Sequence, residues 1–159
     1  MRRPSVSPAA AAVLLSACAA QAAPVSSSCT ARAAPPPHAA AGPFVASAGQ
    51  AVVAPGATVA FTVTATGPAS FTAPCSGPLQ LFVADDTMLR VYAAASATGP
   101  ASPCGAVSLV KGKRDVYAVT WQVDPTLPPG PYTATLLLGD QPALTLTVTL
   151  ASSPAGCSS

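Results

Sequence analysis

The chain contains no glutamate, no isoleucine and no asparagine, and its one histidine is His38. General acid–base catalysis draws mainly on His, Glu and Asp. Five aspartates are then almost all that remain for it: Asp85, Asp86, Asp115, Asp124 and Asp140. All five fall at expected turns or strand starts, where Asp is common because its carboxylate accepts local backbone N–H groups. Ser and Thr are abundant, but without a base none is an activated nucleophile. No glycine-rich phosphate loop is present. The sequence therefore predicts a protein that is not an enzyme and carries no cofactor.

Charge is scarce as well, at 8% of residues. The formal charge of +2 includes Arg2 and Arg3; without those two, five basic residues meet five Asp. A nucleic-acid binder would carry a basic patch. Lys111, Lys113 and Arg114 are the only cluster, and they sit around an expected turn, which reads as a solvated loop. No nucleic-acid partner is expected. Metal sites are equally poorly served: there is no C-x-x-C spacing, and His38 lies in a Pro/Ala-rich segment. The Asp85-Asp86 pair falls well short of the six or more oxygens that calcium takes. Long hydrophobic runs are missing too. Residues 9–15 are far too short to span a bilayer, which needs about 20 apolar residues. The missing residue types, the crowding with Ala and the 19 Pro read together as the compositional bias of a GC-rich genome.

What is present starts with an export signal. Arg2 and Arg3 precede the short apolar run at 9–15, and Leu15-Ser16-Ala17-Cys18 follows. This resembles the lipobox of bacterial lipoprotein precursors, with Leu at −3, small residues at −2 and −1, and Cys at +1. Thioether formation needs a thiolate, which explains the invariant thiol. The resemblance implies a signal peptide over residues 1–17 and a lipidated Cys18 as mature residue one. The lipid would hold the protein on a membrane of the bacterial cell envelope, facing periplasm or exterior. The competing reading is an A-x-A cut after Ala20-Gln21-Ala22, giving a secreted soluble protein.

Five cysteines are present, and either cut takes Cys18 out of disulfide chemistry. The remaining four suit an oxidising compartment and permit three pairings. Cys75–Cys104 and Cys29–Cys157 are favoured. The first would staple a central hairpin, worth about 3.5 kcal/mol in chain entropy; the second would tie the entry segment to the tail, worth about 5 kcal/mol.

Residues 18–43 are Ala, Pro and Ser-rich, with too little bulky apolar content to fold, and read as a disordered tether. From Phe44 the pattern alternates. Val59, Phe61 and Val63 alternate with Thr; Leu79, Leu81 and Val83 mark a second strand; residues 88–93 return after an Asp85-Asp86 turn. Residues 107–110 suggest a short strand. Tyr117, Val119, Trp121 and Val123 share one face, as do Tyr132, Ala134, Leu136 and Leu138, and then Leu144, Leu146, Val148 and Leu150. About seven short antiparallel strands without helical period predict an all-β, immunoglobulin-like β-sandwich over residues 44–151, followed by a tail at 152–159. Phe61, Trp121 and Tyr132 are its expected structural core.

Tyr117-Ala118-Val119-Thr120-Trp121, followed by Leu127-Pro128-Pro129-Gly130-Pro131-Tyr132-Thr133-Ala134, resembles the signature of the intracellular proteinase inhibitor (BsuPI-like) family. Pro55-Gly56-Ala57-Thr58-Val59 resembles that family's opening strand, and residues 79–92 its central hairpin. The likeness covers about residues 52 to 150. It departs where members usually carry a Trp at the close of the central hairpin; Tyr92 stands there. It also departs in compartment, since that family is named for a cytoplasmic inhibitor. The resemblance implies an immunoglobulin-like fold and, less directly, protease inhibition, because a fold does not fix an activity. Three functions follow as expectations: a module binding a protein partner, a secreted proteinase inhibitor presenting residues 94–105 or 125–131 to a protease, and a small-ligand or glycan binder.

Overall fold

Period-two alternation of bulky apolar residues with Thr or Ala puts one face of each strand against a core and the other toward water. In the computed structural model, which describes residues 34–96 and 104–152, this rule governs nearly every long strand. The fold is all-β. Eleven strands are described: β1 (His38–Ala41), β2 (Phe44–Ala48), β3 (Val52–Val53), β4 (Thr58–Thr66), β5 (Ala69–Ala73), β6 (Leu79–Ala84), β7 (Arg90–Ser96), β8 (Gly105–Leu109), β9 (Arg114–Gln122), β10 (Gly130–Leu138) and β11 (Leu144–Leu150). They form a four-stranded sheet ordered β1-β2-β4-β9, a five-stranded sheet ordered β3-β11-β10-β6-β7, and a two-stranded sheet of β5 and β8.

The inner faces supply one continuous core. β4 contributes Val59, Phe61, Val63 and Ala65, and β9 contributes Tyr117, Val119 and Trp121, paired as Val59↔Trp121 and Phe61↔Val119. Opposite them lie Leu79, Leu81 and Val83 of β6, Tyr132 to Leu138 in alternation on β10, and Leu144 to Leu150 in alternation on β11. Phe61, Trp121 and Tyr132 are all buried. Truncating a side chain of this size in a packed core costs about 3–5 kcal/mol.

Three features differ from the sequence expectation. First, the tether reading of residues 18–43 is corrected over its last part. His38–Ala41 is a strand, paired with β2 from His38↔Ser47 to Ala41↔Phe44. Its ladder is made by backbone groups, and the Gly42-Pro43 turn, with Gly42 at φ 57, sets the register. Residues 18–33 and the signal at 1–17 lie outside the described residues. Second, the strands exceed the expected seven and are not all antiparallel, because the two-residue β3 runs parallel to the end of β11. Third, β7 starts at Arg90, not at residue 88. Asp85 captures the chain as far as Leu89, and an irregularity between Val83 and Ala84 then shifts the register. Tyr92 and Ala94 pack against the core as a result, while Ala93 and Leu89 are exposed.

The sandwich has two distinct ends. At the entry end the chain arrives past Pro37, whose carbonyl accepts from Ala48 N at 3.1 Å. Thr149 N donates to Ala51 O and Ala151 N to Val53 O there, so both described termini leave from this end. The 85–89 and 123–129 connections share it. At the stapled end, Cys75 and Cys104 are disulfide-bonded, just beyond the last pair of the β5–β8 ladder, Ala73↔Gly105. The 110–113 turn lies beyond the opposite end of that ladder, Ala69↔Leu109, on the side of the four-stranded sheet, with Gly67 N donating to Lys113 O at 2.8 Å. Gly139 turns the chain into β11 against the Thr72 carbonyl and the Phe71 ring, at φ 58, so a Cβ has no room.

Candidate interaction surfaces

At the entry end, the 85–89 turn is built on one carboxylate. Asp85 Oδ1 accepts from Thr87 N (3.0 Å), Thr87 Oγ1 (2.7 Å) and Leu89 N (2.9 Å). The main chain closes the same loop, with Met88 N donating to Asp85 O and Asp85 N to Leu89 O, each at 3.1 Å. The Thr87 hydroxyl, with the Leu89 and Thr87 N–H groups, holds the Asp85 carboxyl below its ordinary range. Closing the turn leaves Met88 in the left-handed region, at φ 64, where a long side chain is uncommon. Met88 and Leu89 are turned outward, at 78% and 65% exposure. Full burial of such side chains is worth about 1.5–3 kcal/mol each. An ordered turn that instead holds two of them in water leaves that gain for a partner.

The neighbouring 125–131 loop is pinned at both ends. Asp124 Oδ1 accepts from Thr126 N (2.8 Å) and Thr126 Oγ1 (2.7 Å), and Leu127 N donates to Asp124 O at 3.1 Å. These Thr126 bonds, the N–H first, lower the Asp124 pKa. At the far end Tyr132 Oη donates to Pro128 O at 2.9 Å. This is the corner bond that tyrosines make in immunoglobulin-like sandwiches. Four prolines lie in the loop, each with φ fixed by its ring. A groove of about 180 Å³ runs between the two loops, with Asp85 and Asp86 on one wall and Pro128, Pro129 and Pro131 on the other.

The stapled end has the opposite charge. Lys111, Lys113 and Arg114 are exposed around a turn closed by Lys113 N donating to Val110 O at 3.0 Å. Val110 is 68% exposed. Val45 and Val116, both exposed, flank Thr64 in one row across the outer face of the four-stranded sheet. Asp140 is occupied across to β5, accepting Thr72 N at 2.9 Å, and within its own turn, accepting Gln141 Nε2 at 3.2 Å, contacts that lower its pKa.

Inside, each end has its own aromatic cluster. Tyr92, Trp121 and Tyr132 gather at the entry end, with ring centroids 6.4 and 5.7 Å from Trp121. Phe44, Phe71 and Tyr117 gather at the stapled end in edge-to-face contacts of 6.3 and 5.6 Å. Tyr92 Oη donates to Thr120 O at 3.1 Å. Tyr117 Oη is buried without a hydrogen-bond partner among the described residues. Burial, and then the Asp115 charge, push the Tyr117 pKa up.

The sequence-designated residues are thus partly assembled. Cys75 and Cys104 are joined, and Phe61, Trp121 and Tyr132 lie in the core. Cys18, Cys29 and Cys157 lie outside the described residues, as do residues 97–103 of the 94–105 loop. The exposed pair Met88 and Leu89 was read from sequence as part of a strand. The signal that could have placed it is Asp85-x-Thr87, a side-chain-capped turn with two apolar residues immediately behind it. Among the described residues, no three His, Cys, Asp or Glu side chains converge to hold a metal ion.

No family model matches the chain, and no curated protein matches it. Among solved structures it is similar to Spo0M, the sporulation control protein of Bacillus subtilis, at 11% identity and a TM-score of 0.46, over 70% of this chain and 49% of that one. It is similar to a β-glucosidase from Listeria innocua at 12% identity and a TM-score of 0.43, over 69% of this chain and 16% of that one. It is also similar to the alkylpurine DNA glycosylase AlkC of Pseudomonas fluorescens at 18% identity and a TM-score of 0.36, over 66% of this chain and 29% of that one. The chain spans about half the length of Spo0M and less than a third of the two enzymes. At these values the likenesses assign no activity to it.

Proposed function

We propose that this chain is a non-enzymatic β-sandwich that binds a protein partner in the bacterial cell envelope, anchored there through a lipid on Cys18. The observation that carries the binding reading is the outward Met88–Leu89 pair on a turn fixed by Asp85. A few central residues carry most of the binding energy at a protein interface, and Met is enriched at interfaces relative to the rest of the surface. The anchoring reading rests on the Leu15-Ser16-Ala17-Cys18 motif. Its test is the intact mass of the native mature protein, expected to begin at Cys18 and to carry acyl chains. A mass beginning after Ala22 without acyl chains would replace it with plain secretion.

The interaction reading is tested by retention of envelope proteins on the purified mature chain, compared with a Met88→Asp, Leu89→Asp variant. Specific proteins are expected on the first and lost from the second; equal retention on both overturns the loop assignment. A second reading, proteinase inhibition, is favoured by one observation: the 125–131 loop is exposed, proline-rich and pinned by Asp124 and Tyr132. Rigid loops lose little entropy on docking. A protease panel showing no inhibition at micromolar concentrations of the chain would end that reading.

A further inference from the structure

We infer that the entry-end loops dock on the stapled end of a second copy of this chain, so that copies associate head to tail. The inference rests on the interaction reading above and names its partner. The large exposed hydrophobics among the described residues divide toward the two ends: Val52, Met88 and Leu89 at the entry end, and Val110 at the stapled end with Val45 and Val116 on the adjoining outer face of the four-stranded sheet. Charge divides with them. Asp85 and Asp86 share the turn of Met88 and Leu89, and Asp124 opens the neighbouring loop; Lys111, Lys113 and Arg114 lie between Val110 and Val116 in the chain. The counter-charges do not cancel this polarity. Arg90, at the base of the entry end, lies over the Phe82 ring, 4.4 Å from its centroid, on the outer face of the five-stranded sheet. At the stapled end, Asp115 and Asp140 offset two of the three cations, leaving a formal charge of +1 there against −2 at the entry end, where Arg90 offsets one of the three aspartates.

Each end therefore presents apolar side chains beside a net charge of one sign, and the two net signs are opposite. Complementary potentials of this kind set partner and orientation more than raw affinity. A symmetric pair joined through like ends would bring carboxylates onto carboxylates or cations onto cations. A bilayer is a poor occupant of the entry end, because anionic headgroups would meet the same three aspartates. What remains is unlike ends together. That contact is heterologous and does not close on itself, so it builds open chains. Two loop tips bury less than the roughly 1,200–2,000 Å² of a stable interface. The association is accordingly weak, salt-sensitive, and strongest where copies are concentrated on one surface.

The test is sedimentation of the purified mature chain over a concentration series at low and high salt. The average mass is expected to rise at low salt without a plateau at the dimer, and to fall back at high salt. Asp86→Lys and Lys113→Asp are each expected to weaken association several-fold alone and to recover it when mixed, since the reversed ends then match. A plateau at the dimer, or association indifferent to both reversals, overturns the head-to-tail contact. A strict monomer at every concentration also overturns it. If in that case Met88→Asp, Leu89→Asp still loses envelope proteins that the unaltered chain retains, the broader interaction reading stands; if retention is equal, both fall.

Discussion

The two ends of the sandwich are held by different means. The stapled end has a covalent link between Cys75 and Cys104 and a backbone approach at Gly139 that leaves no room for a side chain. The entry end has neither; it is held by Asp85 and Asp124 accepting from the backbone and hydroxyls of their own turns, and by Tyr132 reaching back to Pro128. The aromatic clusters follow the same division. Both tyrosine hydroxyls at the entry end have backbone acceptors, whereas the Tyr117 hydroxyl at the stapled end has none among the described residues. The stapled end adds a constraint on the unfolded chain to its Asp140–Thr72 hydrogen bond; the entry end relies on local hydrogen bonds in the folded chain without a covalent link. The second kind is cheaper to rearrange, which suits an end that carries the outward Met88 and Leu89.

The largest expected effect breaks the covalent side of this contrast. Replacing Cys75 and Cys104 by Ser opens a link across a sequence separation of 29, worth about 3.5 kcal/mol on chain-entropy grounds. Denaturant unfolding should show that loss. Hydrogen exchange should show it as lost protection in β5 and β8, with the 85–89 turn unchanged. A loss spread evenly over both ends would mean that they are not independently held. The next effect strikes the other side. Tyr132→Phe removes the donor to Pro128 O and should cost about 1 kcal/mol, with new mobility in the 125–131 loop. No change in unfolding midpoint would mean that the corner bond contributes nothing net.

The contrast between the ends was less legible in the sequence than the layers between them. Val59, Phe61 and Val63, or Leu144 through Leu150, announce both strand and inner face, because a one-residue slip would expose every bulky side chain. His38–Ala41 announces nothing. Alanine is a weak strand former, and these residues pair through backbone groups with only the small Ala39 and Ala41 methyls reaching the core. β5 is hidden for a related reason: Phe71 is its only large apolar residue, and its partner β8 is distant in sequence. At the entry end, Met88 and Leu89 have the composition of a strand. Three hydrogen bonds to one oxygen of Asp85 override that tendency. Local side-chain capture of this sort competes with the ladder, and single-residue propensities do not register it.

A smaller effect comes from acid. Asp85 and Asp124 at the entry end, and Asp140 at the stapled end, have pKa values lowered by the hydrogen bonds they accept. A folded-state pKa below the unfolded value of about 3.9 adds stability at neutral pH. That stability is lost as pH falls below about 4 and through the folded values. Asp124 and Asp140 are exposed and Asp85 is partly so, so solvent screens the effect. Asp85→Asn with Asp124→Asn should flatten the acid limb of a stability–pH curve and leave the remainder due to Asp140. An acid limb unchanged by the pair would show that the entry-end turns do not depend on ionised carboxylates.

The smallest expected effect is also the one that separates the two clusters most directly. Tyr117→Phe is the same chemical change as Tyr132→Phe, at the other end of the core. Tyr117 is fully buried and its ring already packs edge-on against Phe71. Its hydroxyl, however, gave up water without gaining an acceptor among the described residues. Burying an unpaired hydroxyl costs about 1–3 kcal/mol, and deleting it returns part of that while leaving a small void of less than a methyl group. The net should lie between no change and a gain of about 1 kcal/mol, read as an unchanged or raised unfolding midpoint. If Tyr117→Phe instead loses as much as Tyr132→Phe, the Tyr117 hydroxyl has a partner in solution, such as a trapped water, and both aromatic clusters are tied by tyrosine hydrogen bonds.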